Sequence, residues 1–352
     1  MGWMETEKKT IILIGDSSSK RAVFFRKAAQ DLGVRLHMVE WESLREDFDL
    51  QQFQGAAVKI DPPSYLTVYF TQMQEQLKAY QRNLRHLAQA DCQFLNTPEM
   101  ICQMLHKRET NQRLKEQGIA VTEMFCEQIE TVSQLEEMLR EKHCYSVFIK
   151  PECFSGAAGV AAFRMHPLSG KRKLYTSCRF ENGLLVNTKK LVCMENKIEI
   201  CALLDQLLSL GCVVERWHPK ADYHGKSYDL RVVFQFGHIA AIVARQSNGP
   251  ITNLHLNNQA LDVKELDLNE SVMEQIALVC KRSYEVCTAY QSEATAFGVS
   301  SMTGIDLLLE KGTMRPRVIE INGQGDLIYQ DIYRENRIYQ EQVRFLAGSS
   351  VS

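Results

Sequence analysis

The chain has 352 residues, 45% of them hydrophobic, 24% charged and 9% aromatic, a composition that suggests a soluble globular protein of about two or three domains. A net charge of −2 excludes a broad basic surface for nucleic acid, though not a local anion pocket. No apolar run reaches the roughly 18 residues of a membrane helix, the start Met1–Thr10 is polar rather than a secretory signal, and 11 scattered cysteines without a C-x-x-C pair read as reduced thiols in a cytoplasmic protein, not as a disulfide framework or a zinc site.

Ile11–Ile14 reads as a buried strand, followed by the turn Gly15-Asp16-Ser17-Ser18-Ser19 and a helix over 20–32. Val34–Val39 and Ala56–Ile60 are further short strands, and an amphipathic stretch covers 66–90. Strand–helix–strand order implies an open α/β layer with parallel strands. Asn96-Thr97-Pro98-Glu99 starts a helix that runs to His106, and a second covers Glu109–Gln117 before Gly118. Val147–Lys150 and Val160–Phe163 are strands around the small-residue loop Phe154–Gly159. After a strand at 184–194 and a helix at 196–210, the chain turns β-rich at 212–217, 228–236 and 238–246. A long helix is expected over 269–297, then strands at 304–310 and 317–322, and a frayed tail from Gly348 to Ser352.

The last two strands carry the strongest chemical signal. In Gly304-Ile305-Asp306 and Val318-Ile319-Glu320-Ile321-Asn322, Glu320 and Asn322 share a face, and a turn near 311–316 sets Asp306 roughly opposite Glu320. Two carboxylates and an amide oxygen suit magnesium, which shares its shell with substrate phosphates. Two solvated acids on a half-exposed hairpin would give the same pattern; the setting among aliphatics favours the metal. Lys150, followed by Ser155, Gly156, Ala157, Ala158 and Gly159, suggests a loop whose amides approach a phosphate, and equally a plain hairpin loop. Val213-Val214-Glu215-Arg216-Trp217 is an apolar strand ending where backbone groups could meet an adenine edge; a core strand with a solvated end reads the same. Arg245 closes another strand, either exposed or holding a carboxylate or phosphoryl group.

Taken in order, from Asn96 to Asn322, these pieces resemble the ATP-grasp superfamily, in its RimK-type carboxylate–amine ligase flavour. The resemblance implies a Rossmann-like pre-ATP-grasp domain followed by a two-lobed ATP-grasp fold, hence α/β and α+β. The units would be 1–95, a small lobe with a phosphate lid at 96–211, a central lobe with the magnesium site at 212–347, and the tail 348–352. It implies that Lys107 and Lys150 contact the phosphates of ATP, with Ser155, Gly156 and Gly159 in the lid. Glu215 and Trp217 would lie at the adenine hinge. Asp229-Leu230-Arg231-Val232 matches the family's D-[IL]-R-[VC] strand, Arg245 its phosphate-steadying arginine, and Asn253 its loop asparagine. Arg245, Arg231 and Lys150 would serve catalysis, while Asp306, Glu320 and Asn322 would bind two magnesium ions. The expected reaction couples a small-molecule or peptide carboxylate to an amine through an acylphosphate, with no nucleic-acid or membrane partner and with a homo-oligomer compatible.

The chain departs from the family's pattern in Arg216 after the hinge acid, in the alanines of the lid, and in Gly323-Gln324-Gly325-Asp326 after the last motif, where substrate is expected. Other readings fare worse. Gly15-Asp16-Ser17 resembles a GDSL esterase nucleophile, but no D-x-x-H follows His255, the last histidine, to activate it. A nicotinamide site lacks its G-x-G-x-x-G. His218, His224 and His255 could gather near the site, though each is more simply a satisfied or exposed side chain. A non-catalytic nucleotide-binding regulator or scaffold is the other class, and the filled charged positions speak against it.

Overall fold

Four short runs near the start of the chain pair into a parallel sheet in the order β2–β1–β3–β4. These are β1 (Ile11–Gly15), β2 (Leu36–Glu40), β3 (Ala57–Ile60) and β4 (Gln93–Phe94). The computed structural model describes residues 10–44, 48–64, 67–256, 258–289 and 302–348. Parallel neighbours need crossovers, and α1 (Lys20–Asp31) and α2 (Phe70–Leu87) belong to them. Ser19 caps α1 by accepting the Ala22 N–H at 3.1 Å. Because β2 and β3 flank β1 on opposite sides, the chain leaves β1 in one direction and returns in the other. A crevice opens beyond the C-terminal ends of β1 and β3, the usual ligand position in such sheets. Gly15 closes β1 there, and a Cβ on it would stand 3.1 Å from that of Asp61.

The second sheet is antiparallel, in the order β8–β7–β6–β5–β9. Helices α3 (Pro98–Leu105), α4 (Lys107–Glu116) and α5 (Val132–Glu141) precede it. Its strands are β5 (Ser146–Pro151), β6 (Ala161–Met165), β7 (Arg172–Glu181), β8 (Leu184–Met194) and β9 (Cys212–Arg216), with α6 (Lys197–Leu208) before the last. The third sheet runs β13–β12–β11–β14–β15, with β10 on β11. Its strands are β10 (Asp222–Tyr223), β11 (Lys226–Gln235), β12 (His238–Ser247), β13 (Gln259–Asp262), β14 (Met302–Leu309) and β15 (Pro316–Asn322). Helix α7 (Glu270–Thr288) covers it, and α8 (Tyr329–Ile332) and α9 (Arg337–Leu346) end the chain.

Three apolar cores hold these layers together. Leu230, Val232, Ile305, Leu307 and Ile321 of the third sheet pack with Ile276 of α7 and Leu114 of α4. Ile14, Phe70 and Leu84 of the first layer share a core with Val147 and Phe163 of the second sheet and Leu204 of α6. Ile11, Leu13 and Phe25 pack with Val233 and Val243, and with Tyr339 and Leu346 of α9. The last helix therefore returns to the first sheet, with Tyr339 fully buried and its ring 5.9 Å from that of Phe25.

Several elements go beyond the sequence reading, among them β10, β13 and α8 and the three that follow. Helix α5 begins at a capping box, Thr131 with Gln134, a readable signal in T-x-x-Q. Strand β7 alternates polar and apolar residues only weakly. Helix α9 places Ile338, Tyr339, Val343 and Leu346 on its buried face, at helical spacing. The helix expected over 269–297 is observed to Thr288; its remainder from 290, like the tail beyond Gly348, lies outside the described residues.

Candidate active site

Between the second and third sheets, and capped by the end of the first, lies a cavity of about 930 Å³. Its floor is the antiparallel trio β11–β14–β15. Asp306 pairs across the ladder with Glu320, and Gly304 with Asn322, as the alternation predicts. Arg231 stands opposite Asp306 on the other neighbour and Arg245 opposite Asp229. Register alone thus brings acids and arginines together. Arg231 grips Asp306 with two nitrogens, Nε at 2.6 Å and Nη2 at 3.1 Å. Arg245 reaches the same carboxylate at 3.2 Å and donates from Nε to Asp229 at 2.7 Å. Burial alone would push the Asp229 carboxyl up; the Arg245 and Lys220 charges outweigh it and hold the group down to about 2. The Arg245 guanidinium, although buried, is raised by Asp229 and Asp306.

The lysines enter from the second sheet and α4. Lys150, at the end of β5, donates to Glu215 on β9 at 2.8 Å, and the same carboxylate accepts from Thr122 at 3.2 Å. Lys107, the first residue of α4, bonds the carbonyls of Phe154 and of Glu152 (3.2 Å) and lies 3.6 Å from Glu320. It therefore ties the root of the 152–160 loop to the acidic floor. Ser155 and Gly156 line the cavity, as does Asn253 from the opposite loop. Ala157 and Val160 join an apolar cluster with Phe148, Ile251 and Leu256 that bridges the loop to the third sheet's side.

Two expected site residues fall elsewhere. Gly159 does not line the cavity. It has φ +75°, and a Cβ there would meet Pro151 Cγ at 2.5 Å, so its role is close packing at the loop's base. Trp217 also lies off the cavity. Its backbone N–H donates to the Ser146 carbonyl at 3.0 Å, and its ring packs on Phe148 at 5.4 Å with the Arg164 guanidinium 4.4 Å from its centre. The neighbours Arg216 and His218 reach the cavity instead. Burial holds the His218 imidazole below its ordinary range, assisted by Arg317. His224 is not among the cavity's lining, and the His255 side chain lies outside the described residues.

Of the lining cations that the sequence does not single out, which include Arg179 and Lys189, two hold buried acids. Lys220 donates to Thr252 at 2.8 Å and to Pro250 O at 3.3 Å, and lies 3.4 Å from Asp229. Burial lowers its ammonium, partly offset by Asp229. A lone lysine after His218-Pro219 carries no pattern that would single it out. Arg21, on the first turn of α1, also lines the cavity and pairs with Asp326. It lies on a different sheet layer, so spacing along the chain cannot connect it to the site.

The donors available to a cation are Asp306, Glu320 and the Asn322 amide. The oxygen chemistry fits a hard divalent ion. Asp306 is already engaged by two arginines, but a carboxylate has about four acceptor positions. Among the described residues, Asn322 Nδ2 is buried with no hydrogen-bond partner, an orphaned donor that an anionic ligand beside the acids would satisfy.

No protein-family model and no curated protein sequence matches the chain. Solved structures do. The D-cycloserine synthetase DcsG superposes with a TM-score of 0.60 at 13% identity, over 95% of this chain and 99% of its own. The macrocyclase MdnC of Microcystis aeruginosa, bound with precursor peptide MdnA, gives 0.59 at 12%, over 97% and 100%. The ATP-grasp ligase PsnB, complexed with a precursor variant, Mg and ADP, gives 0.55 at 12%, over 99% of each chain. These likenesses run nearly end to end. The chain thus has the fold of these structures, one of them described as an ATP-grasp ligase.

Proposed function

We propose that this protein is an ATP-dependent ligase that activates a carboxylate as an acylphosphate and joins it to an amine. The observation that carries the reading is the floor of the cleft. Asp306 and Glu320 face each other across one ladder, while Lys107, Lys150, Arg231 and Arg245 converge on the same cavity. Such a concentration of buried charge is costly unless a ligand uses it.

In this reading ATP lies in the cleft with its phosphates at Lys107 and Lys150. Asp306, Glu320 and Asn322 would hold magnesium, which would supply charge neutralisation at the phosphates. Lys150 trades its contact with Glu215 for a phosphate oxygen. Ser155, Gly156 and the rest of the loop close over the phosphates and exclude water, which would hydrolyse the activated carboxylate. Arg245, fixed by Asp229, steadies the phosphoryl group as it moves to the substrate carboxylate. The amine then attacks the acyl carbon and phosphate leaves. The backbone near Glu215 takes the adenine, with Phe148 in place of Trp217 as the aromatic wall. Asn253 approaches from the opposite loop. Residues 1–95 shape the acceptor side, 96–211 and 212–347 the two lobes. The substrate is an amino acid, a peptide or a related small molecule; MdnC and PsnB, which share the fold, are described with precursor peptides.

The test is ADP release by the purified protein with ATP, magnesium and pooled amino acids or short peptides. Release that depends on the pool, and that Glu320→Gln abolishes, supports the ligase. No release across a wide pool, with ATP bound, favours a non-catalytic nucleotide binder.

A further inference from the structure

Several cations line the cleft, Arg179, Lys189 and Arg216 among them. Lys107, Lys150, Lys220, Arg231 and Arg245 each lie against an acid of the second or third sheet. Arg21 comes from the first layer and stands beyond them. It and Arg231 flank one stretch of backbone: Arg231 Nη1 is 3.5 Å from Gly325 O, and Arg21 Nη1 pairs with the next residue, Asp326.

Asp326 is fully buried and already well supplied. Lys59 Nζ lies 3.0 Å from its Oδ2, Gln342 Nε2 donates to the same oxygen at 3.4 Å, and Lys59 also pairs with Asp61. Lys59 therefore suffices to clamp the first sheet to the 323–326 turn. Arg21 is surplus to that clamp. Its pairing uses one nitrogen of a guanidinium that carries five N–H donors. Among the described residues the rest of the fork has no protein partner, and the side chain keeps 19% exposure, toward the cavity it lines. A planar fork anchored at one end by a buried carboxylate is prepared to grip a second carboxylate. Pro62, next to Asp61, and Leu327, next to Asp326, line the same cavity and offer apolar surface for a short carbon stem.

Resting on the ligase reading above, we propose that Arg21 is a specificity-determining residue that holds a second carboxylate of the activated substrate, one not consumed in ligation. The donor substrate is therefore a dicarboxylate: one carboxylate sits near Arg231 and Arg245 and reacts, and the other is fixed at Arg21, across the Gly325–Asp326 turn.

Binding, not turnover, tests this. Succinate and the monocarboxylate butyrate are titrated into the full chain, without ATP, with ligand proton signals as the readout. The wild type should bind succinate at least about tenfold more tightly than butyrate, the scale of one charge-assisted fork. Arg21→Gln should abolish that preference. Arg21→Lys keeps the charge beside Asp326, protects the fold and should retain part of the preference; a thermal melt on each variant checks folding. Equal binding of the two acids by the wild type, binding of neither, or a preference that Arg21→Gln leaves intact would each overturn the assignment. Absent ADP release, by contrast, would sink the ligase reading and leave a positive succinate result standing.

Discussion

Two acids of the same ladder should behave differently when removed, and the difference separates scaffold from chemistry. Asp306 is buried and receives three charged contacts, at 2.6 and 3.1 Å from Arg231 and at 3.2 Å from Arg245. Asp306→Ala removes the acid that Arg231 grips and one of the two that hold Arg245, which keeps Asp229, and breaking a buried pair in this way costs about 3–5 kcal/mol. Glu320 keeps 23% side-chain exposure, and its ion pair is the 3.6 Å approach of Lys107. Lys107 retains two carbonyl partners without it. Glu320→Gln should therefore cost less than about 1 kcal/mol. Urea unfolding of the ligand-free protein, followed by circular dichroism, measures both. ADP release measures the chemistry, and it should fall at least about a hundredfold in Glu320→Gln if the carboxylate holds magnesium. A Glu320→Gln protein as unstable as Asp306→Ala, or one that still releases ADP at a near-normal rate, would refute the division of labour.

Lys150→Met should weaken ATP binding by about 2 kcal/mol, roughly 30-fold, in a nucleotide titration. It should also leave Glu215, which is 2% exposed, short of its cation, so that adding Glu215→Gln restores stability; unchanged ATP affinity would remove Lys150 from the phosphate site. Gly159→Ala should lower the melting temperature, because the new Cβ meets Pro151 at 2.5 Å and φ is +75°, a combined cost of about 1–3 kcal/mol; a neutral substitution would mean that the loop base can shift. Asp229 should give the protein an acid-labile component. Its folded carboxyl lies near 2, below the ordinary 3.8, so its contribution is complete above about pH 4 and is lost as the pH falls through about 2, up to about 2 kcal/mol in all. Asp229→Asn should flatten the acid limb of a stability–pH profile over that window, and an unaltered limb would contradict it.

The acids of the floor were legible in the chain because a hairpin converts sequence distance into register. Asp306 and Glu320 lie on adjacent antiparallel strands, so alternation and turn length place them opposite each other. The capped helix at Thr97-Pro98 and the strands around residues 147–163 were readable for the same local reason. The positions of Gly159 and Trp217 were not: which side of a loop or strand end meets the cavity depends on the neighbours, Pro151 in one case and Phe148 with Arg164 in the other. Sequence alone determined that two acids and an amide stand on one hairpin, and the order in which the charged residues follow along the chain. Only the tertiary structure decided that Arg21, 305 positions from Asp326, joins the cleft. That contact exists because α9 folds back on α1 and buries Tyr339 between them, and packing between distant segments leaves no periodic trace in either one.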